Sequence, residues 1–104
     1  PGNASGVGEG LLGFAFSATA SPNPFNPVTR IDYSLPRAGS MSLKIYNVRG
    51  ELVRTLVDAV RPEGPGHVLW DGSNDRGRGV ASGVYFYRVR TDGDERIGKL
   101  ALIK

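Results

Sequence analysis

At 104 residues the chain is one domain's worth of sequence, able to bury roughly 65% of its unfolded surface and to fold without staples. The absence of cysteine excludes a disulfide framework and any thiolate site, and a net charge of +3, dispersed between Arg30 and Lys104, lacks the clustered basic stripe that nucleic-acid binding needs. No run approaches the roughly 20 apolar residues of a membrane-spanning helix, and no basic segment precedes the apolar stretch Leu11 to Phe16 as it would in a signal peptide.

Pro1 to Gly10 reads as linker, built from Gly, Ser, Asn and Ala with one charge, Glu9, and the missing initiator Met points to a piece of a longer protein. Residues 1–19 are therefore expected to be linker and a possible first strand. Beyond them, 15 Gly and 7 Pro punctuate the chain so densely that helical periodicity has almost nowhere to develop. Alternation with period two is common instead. Ile31, Tyr33 and Leu35 share one face of a run from Thr29, and Met41, Leu43 and Ile45 repeat the pattern. Gly83 to Thr91 is β-branched and aromatic, and Arg96 to Lys104 adds Ile97, Leu100, Leu102 and Ile103.

Turn signals separate these runs. Pro36-Arg37-Ala38-Gly39 joins the first pair, and Asn47-Val48-Arg49-Gly50 reads as a hairpin turn with Gly50 at positive φ. Pro62 to Gly66 reads as a loop that no regular element absorbs. Thr91-Asp92-Gly93-Asp94 suggests a type I′ hairpin, with Asp-Gly in the two left-handed positions. The expected strands fall near 11–19, 28–35, 41–48, 51–58, 66–71, 83–91 and 95–103. Residues 51–58 also carry Leu52, Val53, Leu56 and Val57 at helical spacing, but the tight turn at Gly50 and the lack of an N-cap residue favour a strand. Seven short strands with a turn every 8–12 residues point to an all-β, immunoglobulin-like antiparallel sandwich.

Few residues suggest chemistry. Asn23-Pro24-Phe25-Asn26-Pro27 is a stiff, non-ladder segment whose lone Phe25 suits a plug over one end of a sandwich better than an exposed proline-rich ligand. Trp70-Asp71-Gly72 opens a polar stretch that superficially resembles a calcium loop. Counted from Asp71, however, the sixth position is Arg76 and the twelfth is Ser82, where a calcium loop needs Gly and Glu. A turn in which Asp71 and Asp75 accept backbone N–H bonds, anchored by Trp70, is favoured over a metal site. His67 has no nucleophile or further ligand beside it in sequence, and no phosphate-binding glycine loop is present. No catalytic group, metal site or cofactor is therefore expected. Tyr85 and Tyr87 share one strand face while Phe86 takes the other, where it is expected to lie beneath the Pro-rich segment.

Taken in order, Ser21 to Pro27, Ile31-x-Tyr33-x-Leu35-Pro36, Leu43-x-Ile45-Tyr46-Asn47-Val48-x-Gly50, Trp70-Asp71-Gly72, Ser82 to Val89 and the basic end Lys99 to Lys104 resemble the C-terminal sorting domains of Type IX secretion cargo. The same pattern is similar to the Ig-like domain of flagellar hook-capping proteins. The match spans about residues 20–104. It implies a Greek-key Ig-like sandwich at the C-terminus of a larger secreted protein of a Gram-negative bacterium, exported through the periplasm to the cell surface. It further implies that an outer-membrane translocon recognises the domain and that a sortase cuts in the linker before it and attaches the covalently linked upstream cargo to a lipid. The family's recognition features map onto Gly83, Tyr85, Lys99, Leu100, Leu102 and Lys104. The chain's stop at Lys104 fits a true C-terminus, while Gly98 departs from the pattern by interrupting the last strand. A Lys-ended terminal strand suits recognition by strand addition, and equally suits a blunted edge that avoids aggregation. Two alternatives accompany the sorting role: a structural Ig-like domain of a hook-capping or surface assembly, and an accessory carbohydrate-binding module using an exposed aromatic.

Overall fold

The computed structural model describes residues 13–104, and the linker expected at Pro1 to Gly10 lies outside them. Seven strands form: β1 (Ser17–Ser21), β2 (Thr29–Leu35), β3 (Gly39–Tyr46), β4 (Leu52–Arg61), β5 (Gly64–Trp70), β6 (Gly83–Thr91) and β7 (Glu95–Leu102). Alternation decides their faces. In β2, residues 29, 31, 33 and 35 are buried; in β3, residues 41, 43 and 45; in β6, residues 85, 87 and 89. A chain with half of each strand apolar must bury that half against a second layer. It does so with a three-stranded sheet, ordered β1-β2-β5, facing a four-stranded sheet, ordered β4-β3-β6-β7. Every strand pair within the two sheets is antiparallel. The chain changes sheets between β2 and β3, between β4 and β5, and again between β5 and β6, giving Greek-key crossovers.

Residues 52–58 of the expected 51–58 belong to a strand, β4, and the structure explains their helix-like spacing. β4 carries register shifts opposite Leu43/Lys44 and Ile45/Tyr46, so extra residues break its alternation. Val57 therefore enters the core while Val53 and Leu56 pack against its margin.

Three expectations on local structure are corrected. The first strand is Ser17–Ser21, not 11–19; of the earlier span, residues 11–12 lie outside the described residues and residues 13–16 are not strand. The loop read over Pro62 to Gly66 shrinks to residues 62–63, because β5 begins at Gly64 and takes in Pro65 and Gly66. An edge strand tolerates a proline that lacks a ladder donor, and β5 is the edge of its sheet. Gly66 leaves the space that the Tyr33 ring fills, since a Cβ there would stand 2.5 Å from Tyr33 Cζ. Finally, the β6–β7 hairpin is present but is not type I′: Gly93 is not among the positive-φ glycines. The Thr91 hydroxyl accepts a bond from the Asp94 N–H (3.1 Å) while the Thr91 N–H donates to the Asp94 carbonyl (2.9 Å), which closes the turn without a left-handed glycine. The Asn47–Gly50 turn does use a left-handed glycine, with Gly50 at φ 81°.

Gly98 does not interrupt the last strand. β7 runs unbroken from Glu95 to Leu102, paired to β6 throughout, with Gly98 directly opposite Tyr87. The Tyr87 ring lies flat on that glycine, and its hydroxyl reaches across the sandwich to donate to the Ala18 carbonyl (3.1 Å). The glycine is the recess that lets a large aromatic bridge the two sheets.

Candidate recognition site at one end of the sandwich

The polar and Pro-rich motifs meet at one end of the fold. Trp70 ends β5 with its side chain fully buried, 5.5 Å from the Phe25 ring and 5.4 Å, edge-on, from Tyr85. Its indole N–H donates to the Ser73 carbonyl (2.8 Å), so the one polar atom of the largest core side chain is satisfied by the turn that follows it. In that turn the Asp71 carboxylate accepts from the Ser73 N–H (3.1 Å) and from its hydroxyl. The Ser73 hydroxyl bond holds the Asp71 carboxyl below the usual carboxylate range, against the opposing effect of burial. Gly72 sits at φ 77° against Leu102, placing the turn on the last strand.

Asp75 serves β4 rather than its own turn. Its N–H donates to the Val53 carbonyl (3.0 Å) and its carboxylate accepts from the Thr55 N–H (2.9 Å). Arg54 completes the cluster with bonds to Ser73 Oγ (2.8 Å) and the Asn74 carbonyl (2.9 Å). One carboxylate oxygen of Asp71 and one of Asp75 therefore accept from N–H or O–H donors, and among the described residues no three His, Asp or Glu side chains converge.

Residues 22–27 close the other edge of the same sheet. Asn23 acts as a side-chain surrogate for a strand: its Nδ2 donates to the Lys99 carbonyl (2.8 Å) and its Oδ1 accepts from the Ala101 N–H (3.0 Å). Phe25 continues the pairing through its backbone, donating to the Ala101 carbonyl (2.9 Å) and accepting from Ile103 N–H (2.9 Å) in a parallel bridge with Leu102. The plug expected of Phe25 is there, and it doubles as an edge cap. Pro24, Asn26 and Pro27 are exposed around it. Both edges of the four-stranded sheet are therefore blocked near this end, by Asn23 and Phe25 on β7 and by Asp75 on β4.

The expected recognition residues divide into two groups. Leu100, Leu102 and Tyr85 are core side chains, with 0%, 2% and 7% exposure. Burial raises the pKa of the Tyr85 phenol. Tyr85 also donates from its hydroxyl to the Ala81 carbonyl four residues back (2.7 Å), forming the tyrosine corner that pins the entry to this strand in Ig-type sandwiches. Lys99, Lys104 and Gly83 are exposed beside them, with the Lys104 N–H bonded to Ser82 Oγ (3.1 Å). Sequence reasoning missed the tyrosine corner, the Asn23 cap and the Arg54–Asp75 bracket. For Tyr85 the signal was its position two residues into a strand after a turn. The other two join residues 76–78 and 19–21 apart and left none. Phe86, expected beneath the Pro-rich segment, points instead to the outer face of the four-stranded sheet, half-buried, across from Tyr46 and Lys99.

Residues 27–95 match the family model described as the FlgD Ig-like domain. No curated protein matches the chain. Among solved structures, dimeric latent PorU from Porphyromonas gingivalis superposes with a TM-score of 0.67 at 22% identity, over 86% of this chain and 9% of PorU. FlgD from P. aeruginosa gives a TM-score of 0.57 at 20% identity, over 71% of this chain and 59% of that one. FlgD from Xanthomonas campestris gives 0.57 at 22% identity, over 86% and 62%. The chain therefore spans a small fraction of PorU and less than two thirds of either FlgD chain. At these identities the likeness is one of fold.

Proposed function

Because the chain belongs to the FlgD Ig-like domain family, a family of structural, non-enzymatic domains, we propose that it serves as the C-terminal sorting domain of a larger exported protein. In this reading an outer-membrane translocon recognises the folded domain, carries the cargo from the periplasm to the cell surface, and a sortase cuts between residues 1 and 19. The observation that carries the proposal is a size relation. The same fold recurs as 9% of the chain of PorU, a type IX secretion protein, as expected of a small module appended to a much larger protein. The motif order from Ser21 to Lys104 supports the same role.

The geometry changes which residues can act as the address. Side chains of Leu100, Leu102 and Tyr85 are internal, and the outer edge of β7 at Lys99 and Ala101 is occupied by Asn23 and Phe25. A receptor meeting the folded domain therefore reads the exposed Lys99, Ile103 and Lys104 and the turn at Gly83. A truncation after Gly98 would delete core leucines and report on folding. The better test fuses residues 20–104 to a reporter in a Type IX-competent cell and compares it with Lys99→Ala/Lys104→Ala. The expected result is surface reporter for the parent fusion and a loss for the variant at unchanged melting temperature. Equal display of both removes the two lysines from the address, and no display of the parent fusion sinks the sorting role. The second reading, a structural domain of a hook-capping assembly, is favoured by the family match and by FlgD chains that share the fold over 59% and 62% of their length.

A further inference from the structure

The outer face of the four-stranded sheet is the largest feature that neither the core nor the capped end uses. Registers align its residues in rows: Leu52, Tyr46, Phe86 and Lys99; then Thr55, Lys44, Arg88 and Ile97; then Asp58, Ser42, Arg90 and Glu95. Tyr46, Val48, Phe86 and Ile97 surround a shallow open depression of about 310 Å³, room for one bulky side chain. Val48 and Ile97 are 70% and 61% exposed at its walls. This is an exposed apolar recess whose lining includes two aromatic rings.

The recess is framed by unbalanced charge. Lys44 stands directly opposite Arg88, a like-charge pair that weakens a sheet unless something else compensates it. Glu95 alone answers both Arg88 (2.7 Å) and Arg90 (3.4 Å). Lys44 and Lys99 make no ion pair among the described residues. Over the three rows the cations Lys44, Arg88, Arg90 and Lys99 meet only the carboxylates Glu95 and Asp58.

Of the polar side chains lining the recess, Asn47 and Arg88 are already engaged, which leaves the Tyr46 hydroxyl. Asn47 Oδ1 accepts from the Arg49 and Glu51 N–H groups, Asn47 Nδ2 donates to Glu51, and the Arg88 guanidinium is held by Glu95. A sugar ring would find aromatic faces but few hydroxyl partners, whereas an apolar side chain needs none. We propose that this face docks an acidic segment of a partner protein, seating one bulky apolar side chain in the Tyr46–Phe86–Ile97 recess with its carboxylates on Lys44 and Lys99. Charge complementarity selects the occupant, and although Lys99 is shared with the proposed address, the Tyr46–Phe86–Ile97 recess and Lys44 are not, so the proposal holds under either reading of the domain's role.

The test titrates the intact chain with the peptide Glu-Asp-Glu-Phe-Asp-Glu, a version with Ala for Phe, a version with Ser for every acid, and an oligogalacturonate of equal charge. Backbone amide NMR shifts are the readout. Saturable shifts centred on Tyr46, Phe86 and Ile97 are expected for the first peptide, with each altered peptide binding at least about tenfold more weakly. Phe86→Ser and Lys44→Glu/Lys99→Glu, each with an unchanged circular dichroism spectrum, should lose a similar factor, and the charge-reversed variant should then prefer a basic peptide. No saturable shift on this face, equal binding of the Ala peptide, or tighter binding of the oligogalacturonate would each overturn the assignment.

Discussion

Gly98→Ala is a one-carbon change whose cost the structure sets. A Cβ at this position would stand 2.1 Å from Tyr87 Cζ and 2.2 Å from Cε2 and the hydroxyl, well inside contact distance. The ring cannot step aside freely, because its hydroxyl is tied to the Ala18 carbonyl on the opposite sheet and the side chain is in the core. Either β7 is pushed away from the core or the ring leaves its seat and drops the inter-sheet bond. Overpacking of this kind costs about 1–3 kcal/mol, and loss of the bond about 1 kcal/mol more. Relief of glycine's backbone entropy returns roughly 0.5–1 kcal/mol. The net loss is about 2 kcal/mol, which for a domain of this size lowers the melting temperature by roughly 10 °C. Thermal and urea unfolding measure it, with an unchanged m-value showing that the folded and unfolded states are otherwise the same. A double-mutant cycle separates cause from coincidence. On a Tyr87→Leu background the ring is gone, and Gly98→Ala should be neutral or mildly stabilising. If it costs the same on both backgrounds, or if the single variant melts within about 2 °C of the parent, the ring-on-glycine account is wrong.

The capped edges and the corner make three further predictions. Asn23→Ala removes both bonds from the outer edge of β7, so it should cost about 1 kcal/mol and speed hydrogen exchange at Ala101, whose amide loses its acceptor. Tyr85→Phe keeps the packing against Trp70 but leaves the Ala81 carbonyl without its donor. A loss of about 1 kcal/mol in chemical denaturation is expected, and wild-type stability would show that the corner is decorative. The Asp71 carboxyl is held below the ordinary range of an aspartate by the Ser73 hydroxyl, so its stabilisation is present above that range and is lost as the pH falls through the lowered pKa; Ser73→Ala should flatten that acid limb of the stability curve, and an unchanged limb would discard the assignment.

How far the sequence could be read depended on whether the determining contact was local. Strand faces were legible because alternation is a property of neighbours: Ile31, Tyr33 and Leu35, or Tyr85, Tyr87 and Val89, show their buried side in the residue order itself. Trp70 and Phe25 were legible as end-of-sandwich anchors because a lone aromatic among turn residues has few other uses. The errors arose where a distant partner decides. Gly98 looks like a break until Tyr87, eleven residues earlier, is laid on it, and Pro62 to Gly66 looks like loop until the edge position of β5 is known. Phe86 was assigned a cover because the sequence shows that two faces exist but not which one a neighbouring segment reaches.

The same distinction bears on what a sorting motif is. Of the residues that carry the resemblance at the end of the chain, Tyr85, Leu100 and Leu102 are engaged in folding: a tyrosine corner and two core leucines, one of them beneath the Phe25 bridge. Closing this sandwich is use enough for all three, and substituting them cannot by itself distinguish recognition from collapse. Gly83, Lys99 and Lys104 have no such duty in the core. A receptor that reads the folded domain has these positions, the exposed Ile103 and the cationic outer sheet face to work with. The backbone of β7 becomes available for strand addition only if residues 22–27 are first lifted away from it, and that lift breaks four hydrogen bonds, two from Asn23 and two from Phe25. Recognition by side chains therefore leaves Asn23→Ala without effect on export, whereas recognition by strand addition makes the same substitution accelerate it. Measuring export of the reporter fusion with and without that change decides between the two.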